Sequence, residues 1–498
     1  VRITGIDLRG VNARLGVDAD GALVLDAGSE PVKLGKGIPA AAETSDSSAL
    51  VFAVLTAVDL MAREDGELFA LETAQLSGAK LSLVDAGGNE RIGFDNVNIR
   101  MTPLDSAARR IDINARGASG IKDFSIELRA GENNLRQASL EVRQFEPSDI
   151  FALVLGGSWG GLNGLSLSGK ASVQTSGPDT PLLAKLDLNI AAGSVQMAGG
   201  ASNAMHVDGG KLRLTYNNEK GQADIEELSL KSGVSGVVLS GFARRSLPQA
   251  WNSVLTGKGV FGGEGKDPAI TVDQISLALS GQENGDLALE RLDVRGPSLA
   301  VAAKGIMRSY ATNPGVELSM TITDSDARAA IALWPGFVSP EVRKIISSRT
   351  PAGFIERMDL NMNFPPEVLK AAQAGLAVPD DSIKVTLKGR NVRFLVTEGL
   401  PPVSDAAIVA VSTGRTLLVE ASSARTEASP GRFLSLSEGS FAIDDTYDSR
   451  ALGRVGFRTT GSIEALIALL ASPVLRDFAP FRVEPGSIRG NLDLRSTI

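Results

Sequence analysis

Few residues of this chain have types and spacing that could do chemistry, and Ser158 is the first of them. Residues 156–160, GGSWG, match the G-x-S-x-G pattern of hydrolases, in which a strand precedes the nucleophile, a helix follows it and a histidine lies downstream. Here a short helix is predicted before the serine, glycines follow it, and the only histidine, His206, lies in a glycine-rich turn region. A glycine-rich helix exit explains these residues better than a nucleophile does.

A second stretch matches the pattern of a dinucleotide-binding loop. Gly257, Gly259 and Gly262 form G-x-G-x-x-G, but such a loop must stand between a strand and a helix, because the pyrophosphate sits on the helix N-terminus. The residues that follow predict another loop and a strand. We therefore predict a turn here and no cofactor.

Acidic and aromatic residues point to no further chemistry. Asp444, Asp445 and Asp448 could offer oxygen ligands to calcium, yet no glycine pivot and closing glutamate stand at the required spacing, which favours a solvated turn. One histidine and no cysteines leave little from which to build a zinc site. Three tryptophans and three tyrosines are too few for a long carbohydrate groove, leaving room for one small site. We expect no catalytic residue, no metal and no cofactor, and therefore no enzyme.

The elements that would position any site are mostly strands. Apolar and polar residues alternate around glycine turns along most of the 498 residues, which are too many for one compact core. The alternation predicts roughly 30 to 40 strands, and a sheet of that size must curl, split or wind. At about 4.8 Å between strands, one continuous curled sheet would extend on the order of 150 Å. The net charge of −8, without a lysine- and arginine-rich face, argues against nucleic acid as a partner.

Residues 322–364 are the clearest helical interruption. A first helix is predicted from the apolar stripe Ala327, Ala330, Ile331 and Trp334, ended by Pro335 and Gly336, and a second from an N-cap at Ser339 and Pro340 at the first helical position, ended by Thr350 and Pro351. The alternation of Leu360, Met362 and Phe364 with polar residues then predicts a strand.

Three further helices are predicted, at 49–62, at 148–155 and after an N-cap at Ser462. The apolar run at 49–62 is shorter than the roughly 20 residues that a bilayer span needs, so we interpret it as a core-facing helix. The helices have no fixed period, but each leads into a glycine-containing strand. We therefore predict four segments: 1–145, a β segment with its helix; 146–322 and 323–461, each starting with a helix; and 462–498, the start of a further module.

The strand faces are the most informative feature, because many strands carry aliphatic side chains on one face only. One interpretation is an ordinary closed sandwich core. The other is a curled sheet whose aliphatic faces line a trough for acyl chains, since an aliphatic, aromatic-poor lining suits hydrocarbon. Periodicity does not separate the two. The candidate groove residues are Leu186, Leu188, Ile190, Leu212, Leu214, Leu277, Leu279, Val316, Leu318, Met320, Leu360, Met362, Phe364, Val385 and Leu387.

Residues 334–364 carry a family resemblance. The order of Trp334-Pro335, the helix 340–343 (PEVR) and the step 353–355 (GFI) into a strand resembles the AsmA-like, YhdP-type proteins of Gram-negative bacteria. The strand–turn–strand continuation with 400–402 (LPP), the early 72–90 segment and the terminal 461–480 segment are similar too. The resemblance touches most of the chain and is strongest from about 325 to 480.

This resemblance implies a fold and a function. It implies a mostly β, elongated, curled antiparallel sheet forming a repeating β-groove, punctuated by short helices. It implies a periplasmic protein that an N-terminal helix outside this chain tethers to the inner membrane, and that conducts phospholipid along the groove toward the outer membrane. The partners would be phospholipid acyl chains and inner- and outer-membrane proteins. The alternatives are a periplasmic scaffold or assembly factor for outer-membrane biogenesis with closed β cores, and a secreted β-solenoid enzyme or adhesin, which the lack of paired catalytic carboxylates disfavours.

Overall fold

The structure is a computed structural model that describes most of the chain. The described residues are 5–17, 23–26, 28, 31–34, 72–84, 90–105, 108–117, 120–130, 136–146, 165–175, 183–196, 204–217, 219–245, 250–262, 269–282, 284–308, 313–333, 340–448, 450, 452–475 and 488–497. Ser158 and its glycines, the helices predicted at 49–62 and 148–155, and the residues from Trp334 to Ser339 lie outside them.

Most of the described residues are in β-strands, and few are in short helices. The strands form an open, mostly antiparallel sheet that does not close into a barrel. The predicted fold class is confirmed. The chain divides into two compact units: unit 1 contains Val1–Thr256 and Gly281–Glu283, and unit 2 contains Gly257–Ser280 and Asn284–Ile498. The four predicted segments stay a prediction.

Unit 1 is a meander, in which strands neighbouring in sequence pair antiparallel. Its strands are β1 Gly5–Arg9, β2 Asn12–Val17, β3 Leu23–Asp26, β4 Val32–Leu34, β5 Thr73–Val84, β6 Glu90–Asp105, β7 Ala108–Gly117, β8 Gly120–Ala130, β9 Arg136–Phe145, β10 Leu167–Thr175, β11 Leu183–Ile190, β12 Gly193–Gln196, β13 Ala204–Val207, β14 Gly209–Asn217, β15 Gln222–Ser232 and β16 Ser235–Arg245. Pairing runs from β5 to β11 and on through β14, β15 and β16. β1 and β2 follow one another along the other edge of β5, both parallel to it, and β12 and β13 form a separate two-stranded sheet.

Unit 2 repeats the meander. Two strands contain the boundaries between the units, β17 Trp251–Phe261 and β18 Ile270–Gly281. The remaining strands are β19 Leu287–Gly296, β20 Leu299–Arg308, β21 Gly315–Asp326, β22 Ala352–Phe364, β23 Ile383–Phe394, β24 Val403–Thr413, β25 Leu417–Ser429, β26 Arg432–Ile443, β27 Arg454–Ser462 and β28 Asn491–Thr497. From β19 to β28 each strand pairs antiparallel with the next.

The described helices all lie in unit 2. They are α1 Ala327–Leu333, α2 Pro340–Arg349, α3 Pro366–Gln373 and α4 Ile463–Leu470, with a short 3-10 turn at Asp380–Ser382. The predictions of α1, α2 and α4 are confirmed, and the hydroxyl of Ser462 accepts a hydrogen bond from the backbone N–H of Ala465, as an N-cap should. α3 was not predicted from the sequence.

Three of these helices lie along the same side of the unit 2 sheet. α1 follows the end of β21, α2 precedes the start of β22, and α4 follows the end of β27. Because the strands alternate in direction, these strand ends are all on one side, which we call the helix margin. α3 follows the other end of β22 and lies on the opposite margin.

The turn predicted at Gly257 and Gly259 is wrong. Both glycines lie inside β17, where buried Ser253 and Leu255 alternate with exposed neighbours. Glycine accepts extended backbone, and the period-two pattern continues through it. The chain leaves the strand only at Gly262, which has a φ of +85°.

Candidate functional site

Strand register gathers the aliphatic side chains of unit 2 into straight rows across the sheet. The longest row crosses nine consecutive strands, β19 to β27, with one apolar residue from each. Its members, in order of pairing, are Val294, Val301, Ile322, Met358, Leu387, Ala410, Val419, Phe441 and Val455.

Eight predicted groove residues fall on this row or on rows parallel to it. The neighbouring rows run through β20, β21, β22 and β23 and contain Ala303, Met320, Leu360 and Val385; Gly305, Leu318, Met362 and Ile383; and Met307, Val316 and Phe364. Leu387 belongs to the longest row. The structure therefore brings these eight together on one face.

Unit 1 carries two rows of the same kind over ten strands, β5 to β11 and β14 to β16. The first contains Ala74, Met101, Ile111, Ile126, Leu140, Ala171, Leu186, Leu214, Ile225 and Gly241. The second contains Leu76, Ile99, Ile113, Phe124, Val142, Gly169, Leu188, Leu212, Leu228 and Leu239. At Gly169 a Cβ atom would lie 2.1 Å from the carbonyl oxygen of Asp187, so the strands pair closely here only because the residue is glycine.

The remaining predicted residues lie beside these rows or on β18. Ile190 pairs with Leu167 on one side and with Gly210 on the other, one level beyond Leu188. Leu277 and Leu279 are half-buried residues of β18. The strands β5 to β9 follow from the sequence, and the alternation that marks the predicted groove residues is present in them too, although none of their aliphatic residues is among those predictions.

The exposure of the predicted residues differs from that of a uniformly closed core. Leu188 and Phe364 are buried, with 4% and 9% of their surface exposed, and the other thirteen are half-buried. Full burial on this face of unit 2 is found beside α1, where Ile322, Ala327 and Ile355 form one cluster, and also at Val294 and Phe364. In the unit 1 rows the buried members include Met101, Ile111 and Leu239. The half-buried members of the rows keep apolar surface that an apolar ligand could still cover.

The opposite face of the sheet in unit 1 is polar and charged. One row there reads Arg100, Asp112, Ser125, Glu141, Lys170, Asp187, Arg213 and Glu227, so that acids and bases oppose one another across the strands. Arg213 lies 2.8 Å from Glu227, and Lys170 lies 3.8 Å from Glu141. Exposed pairs of this kind add little stability, so their main effect is to keep this face solvated.

The acidic residues singled out from the sequence are each held by an arginine in an exposed turn. Asp444 accepts a hydrogen bond from Arg454 at 2.8 Å, and Asp445 pairs with Arg415, which lowers the pKa of that carboxyl. His206 Nε2 lies 3.0 Å from Asp208 on the surface. Across the described ranges, no group of three or more His, Cys, Asp or Glu side chains is arranged to hold a metal ion.

Comparison with protein-family models, with curated proteins and with solved structures finds no match to this chain. Within the part of the chain that the structure describes, no helix has the length and apolar character needed to cross a membrane.

Proposed function

We propose that this chain binds the acyl chains of phospholipid along its apolar rows and lets them move from strand to strand. The observation that carries the proposal is the unbroken apolar register over ten strands in unit 1 and nine in unit 2. Such rows require every hairpin and bulge between them to keep the same face apolar. A closed core would also pair apolar residues across its strands, so the rows support an acyl-chain site through the half-burial of most of their members.

The physical chemistry of the rows suits hydrocarbon. Covering a methylene group gains about 0.8 kcal/mol, so two acyl chains lying on aliphatic side chains bind without any specific polar contact. Adjacent positions along a row offer the same chemistry, and the net free-energy change of moving one strand further is small. Headgroups would stay at the solvated edge, and no covalent step is involved.

The resemblance to AsmA-like, YhdP-type proteins supports the same function and also suggests a cellular location. On that basis the chain is a section of a periplasmic bridge-like lipid-transfer protein, tethered to the inner membrane by a segment outside this chain. Phospholipid would pass toward the outer membrane along it.

Native mass spectrometry of the purified chain, coupled to lipid extraction, tests this function. Phospholipid should co-purify with the wild type and should be lost from Leu360→Lys, because an acyl chain lying on the row would have to desolvate the charged ammonium group. The matched control is Asn361→Lys, which places the same charge on the exposed opposite face of the same strand and should keep its lipid.

Two outcomes would contradict the proposal. One is a wild-type chain free of lipid after expression in a membrane-containing host. The other is unfolding of Leu360→Lys at the temperature at which Asn361→Lys stays folded, since that result marks a closed core and supports the scaffold alternative.

A further inference from the structure

Unit 1 has two neighbouring concave sites on the face opposite its apolar rows. A cavity of about 590 Å³ lies over β5 to β9, and a neighbouring cavity of about 520 Å³ lies over β1, β5 and β6. Gln75 and Arg100 line both. A twisted sheet is saddle-shaped, so each of its faces is concave along one diagonal, and a polar hollow can exist behind an apolar face. We call these joined cavities the polar hollow.

Register makes the floor of the polar hollow polar throughout. One row across it consists of Gln75, Arg100, Asp112, Ser125 and Glu141. The next consists of Asn98, Asn114, Asp123 and Arg143. The one aromatic residue among those lining either cavity is Phe124, which belongs to an apolar row, so hydrogen bonds and charge would hold a ligand on the polar floor.

The carboxylates of the hollow each accept a hydrogen bond from a neighbouring side chain. Partial burial alone would raise the pKa of Asp112, but hydrogen bonds from Arg110, at 2.9 Å, and from Ser125 outweigh it, and the pKa is lowered. Glu141 accepts from Arg143 at 3.1 Å, and Asp123 accepts from the amide of Asn114.

Arg100 is different from the other arginines of the hollow. It opposes Asp112 across the strands and its charge helps to lower the pKa of that carboxyl, but Arg110 makes the hydrogen bond to it, and among the described residues no hydrogen-bond acceptor is found for the exposed Arg100 guanidinium. Gln75, beside it, uses one amide N–H on Ser77. The hollow thus presents, next to amide groups, one guanidinium whose N–H groups make no hydrogen bond to a described residue.

We propose that the polar hollow binds an oxyanion, a phosphate carried on a hydroxylated body of sugar or glycerol size, with Arg100 as its anchor. The guanidinium fork matches two oxygens of such a group, and the amides can bond hydroxyls. A volume of about 590 Å³ lies within the range of small-molecule sites. The phosphate can come from a soluble sugar phosphate or from the glycerophosphate headgroup of a lipid. This site goes beyond the proposed function, because it lies on the other face and can fail or hold independently of lipid on the rows.

Isothermal titration of the full chain tests the site, with glucose 1-phosphate and glucose as soluble probes. Wild type should bind glucose 1-phosphate about tenfold more tightly than glucose, and Arg100→Gln should remove that advantage, because hydrogen bonds to a charged partner are of this strength. Arg129→Gln is the control: Arg129 is exposed, pairs with Asp105 at 3.0 Å on the same group of strands and does not line either cavity. It should leave both affinities within about twofold. Thermal melting checks that both variants are folded.

Vesicles of phosphatidylglycerol, compared with phosphatidylcholine, distinguish the two sources. Vesicle binding that depends on Arg100, without binding of glucose 1-phosphate, assigns the site to a lipid headgroup, and the reverse assigns it to a soluble ligand. The proposal is overturned if neither probe binds, if glucose binds as tightly as its phosphate, or if Arg100→Gln and Arg129→Gln weaken binding equally. Retention of co-purified phospholipid by Arg100→Gln would show that such a failure leaves the proposed function intact.

Discussion

Two regions of the paired strands β21 and β22, a few residues apart, bury the same kind of side chain to different extents. Near the helix margin, Ile322 and Ile355 are 7% and 9% exposed and pack against Ala327 of α1. Further along the same two strands, Leu318 and Met362 oppose each other in a row and are only half-buried. The first region is a small closed core that fixes the helix to the sheet. The second holds apolar surface at constant register without enclosing it, which is what an apolar ligand needs.

The largest expected effect is the difference in unfolding free energy between two truncations, one in the closed region and one in a half-buried row. Ile355→Ala should lower the free energy of unfolding of the chain by about 2–4 kcal/mol, because the cavity left under α1 cannot collapse. Val385→Ala, in the half-buried row, should cost clearly less, since solvent or ligand can occupy the space. Chemical denaturation followed by circular dichroism measures both, and equal losses would mean that the two regions are the same core.

The start of α1 gives a smaller test of the closed region. The carboxylate of Asp326 accepts hydrogen bonds from the backbone N–H groups of Arg328, at 2.8 Å, and Ala329, at 3.2 Å, which makes it an N-cap. Asp326→Ala should cost about 1 kcal/mol in the same denaturation experiment. Ser462→Ala, at the cap of α4, should cost a similar amount. If neither cap variant lowers the free energy of unfolding, packing against the sheet and not N-capping stabilises α1 and α4.

The smallest expected effect is a pH dependence on the polar face of the open region. Hydrogen bonds from Arg357, at 2.6 and 2.8 Å, and from Thr321, at 2.8 Å, lower the pKa of Asp359. A carboxyl whose pKa is lowered by folding stabilises the fold above its unfolded pKa of about 3.9 and loses that contribution as the pH falls through the lower folded value. The melting temperature of the wild type should therefore fall more steeply below about pH 4 than that of Asp359→Asn. Parallel curves would contradict the assignment.

Most elements could be predicted from the sequence, because their signals are local. The stripe of Ala327, Ala330 and Ile331 and the alternation of Leu360 and Met362 each depend only on neighbours in the chain, and the structure confirms the helix and the strand. α3 was missed although Pro365 and Pro366 mark a helix start, because only about two turns follow before Gly375.

The rows could not be predicted, because they depend on pairing register and not on the pattern of one strand. Non-glycine residues with positive φ stand inside strands at register shifts, Asn391 in β23, Asp405 in β24 and Glu438 in β26. Such bulges change which residues oppose one another and bend the strand. Asparagine and aspartate favour this conformation, but a single sequence does not say which of them adopts it. The polar hollow could not be predicted for the same reason. Arg100 differs from the other arginines only in its hydrogen bonding, which depends on which residues lie opposite one another.

Photo-crosslinking with a phospholipid that carries a diazirine on its acyl chain tests the central claim most directly. After loading, irradiation and proteolysis, peptide mass spectrometry locates the crosslinked side chains on β21 and β22. The account predicts crosslinks on row residues such as Met320, Leu360 and Met362 and few on Ser319, Asn361 and Asn363, which occupy the same levels on the other face. Crosslinks spread equally over both faces, or found only on the polar one, would contradict it.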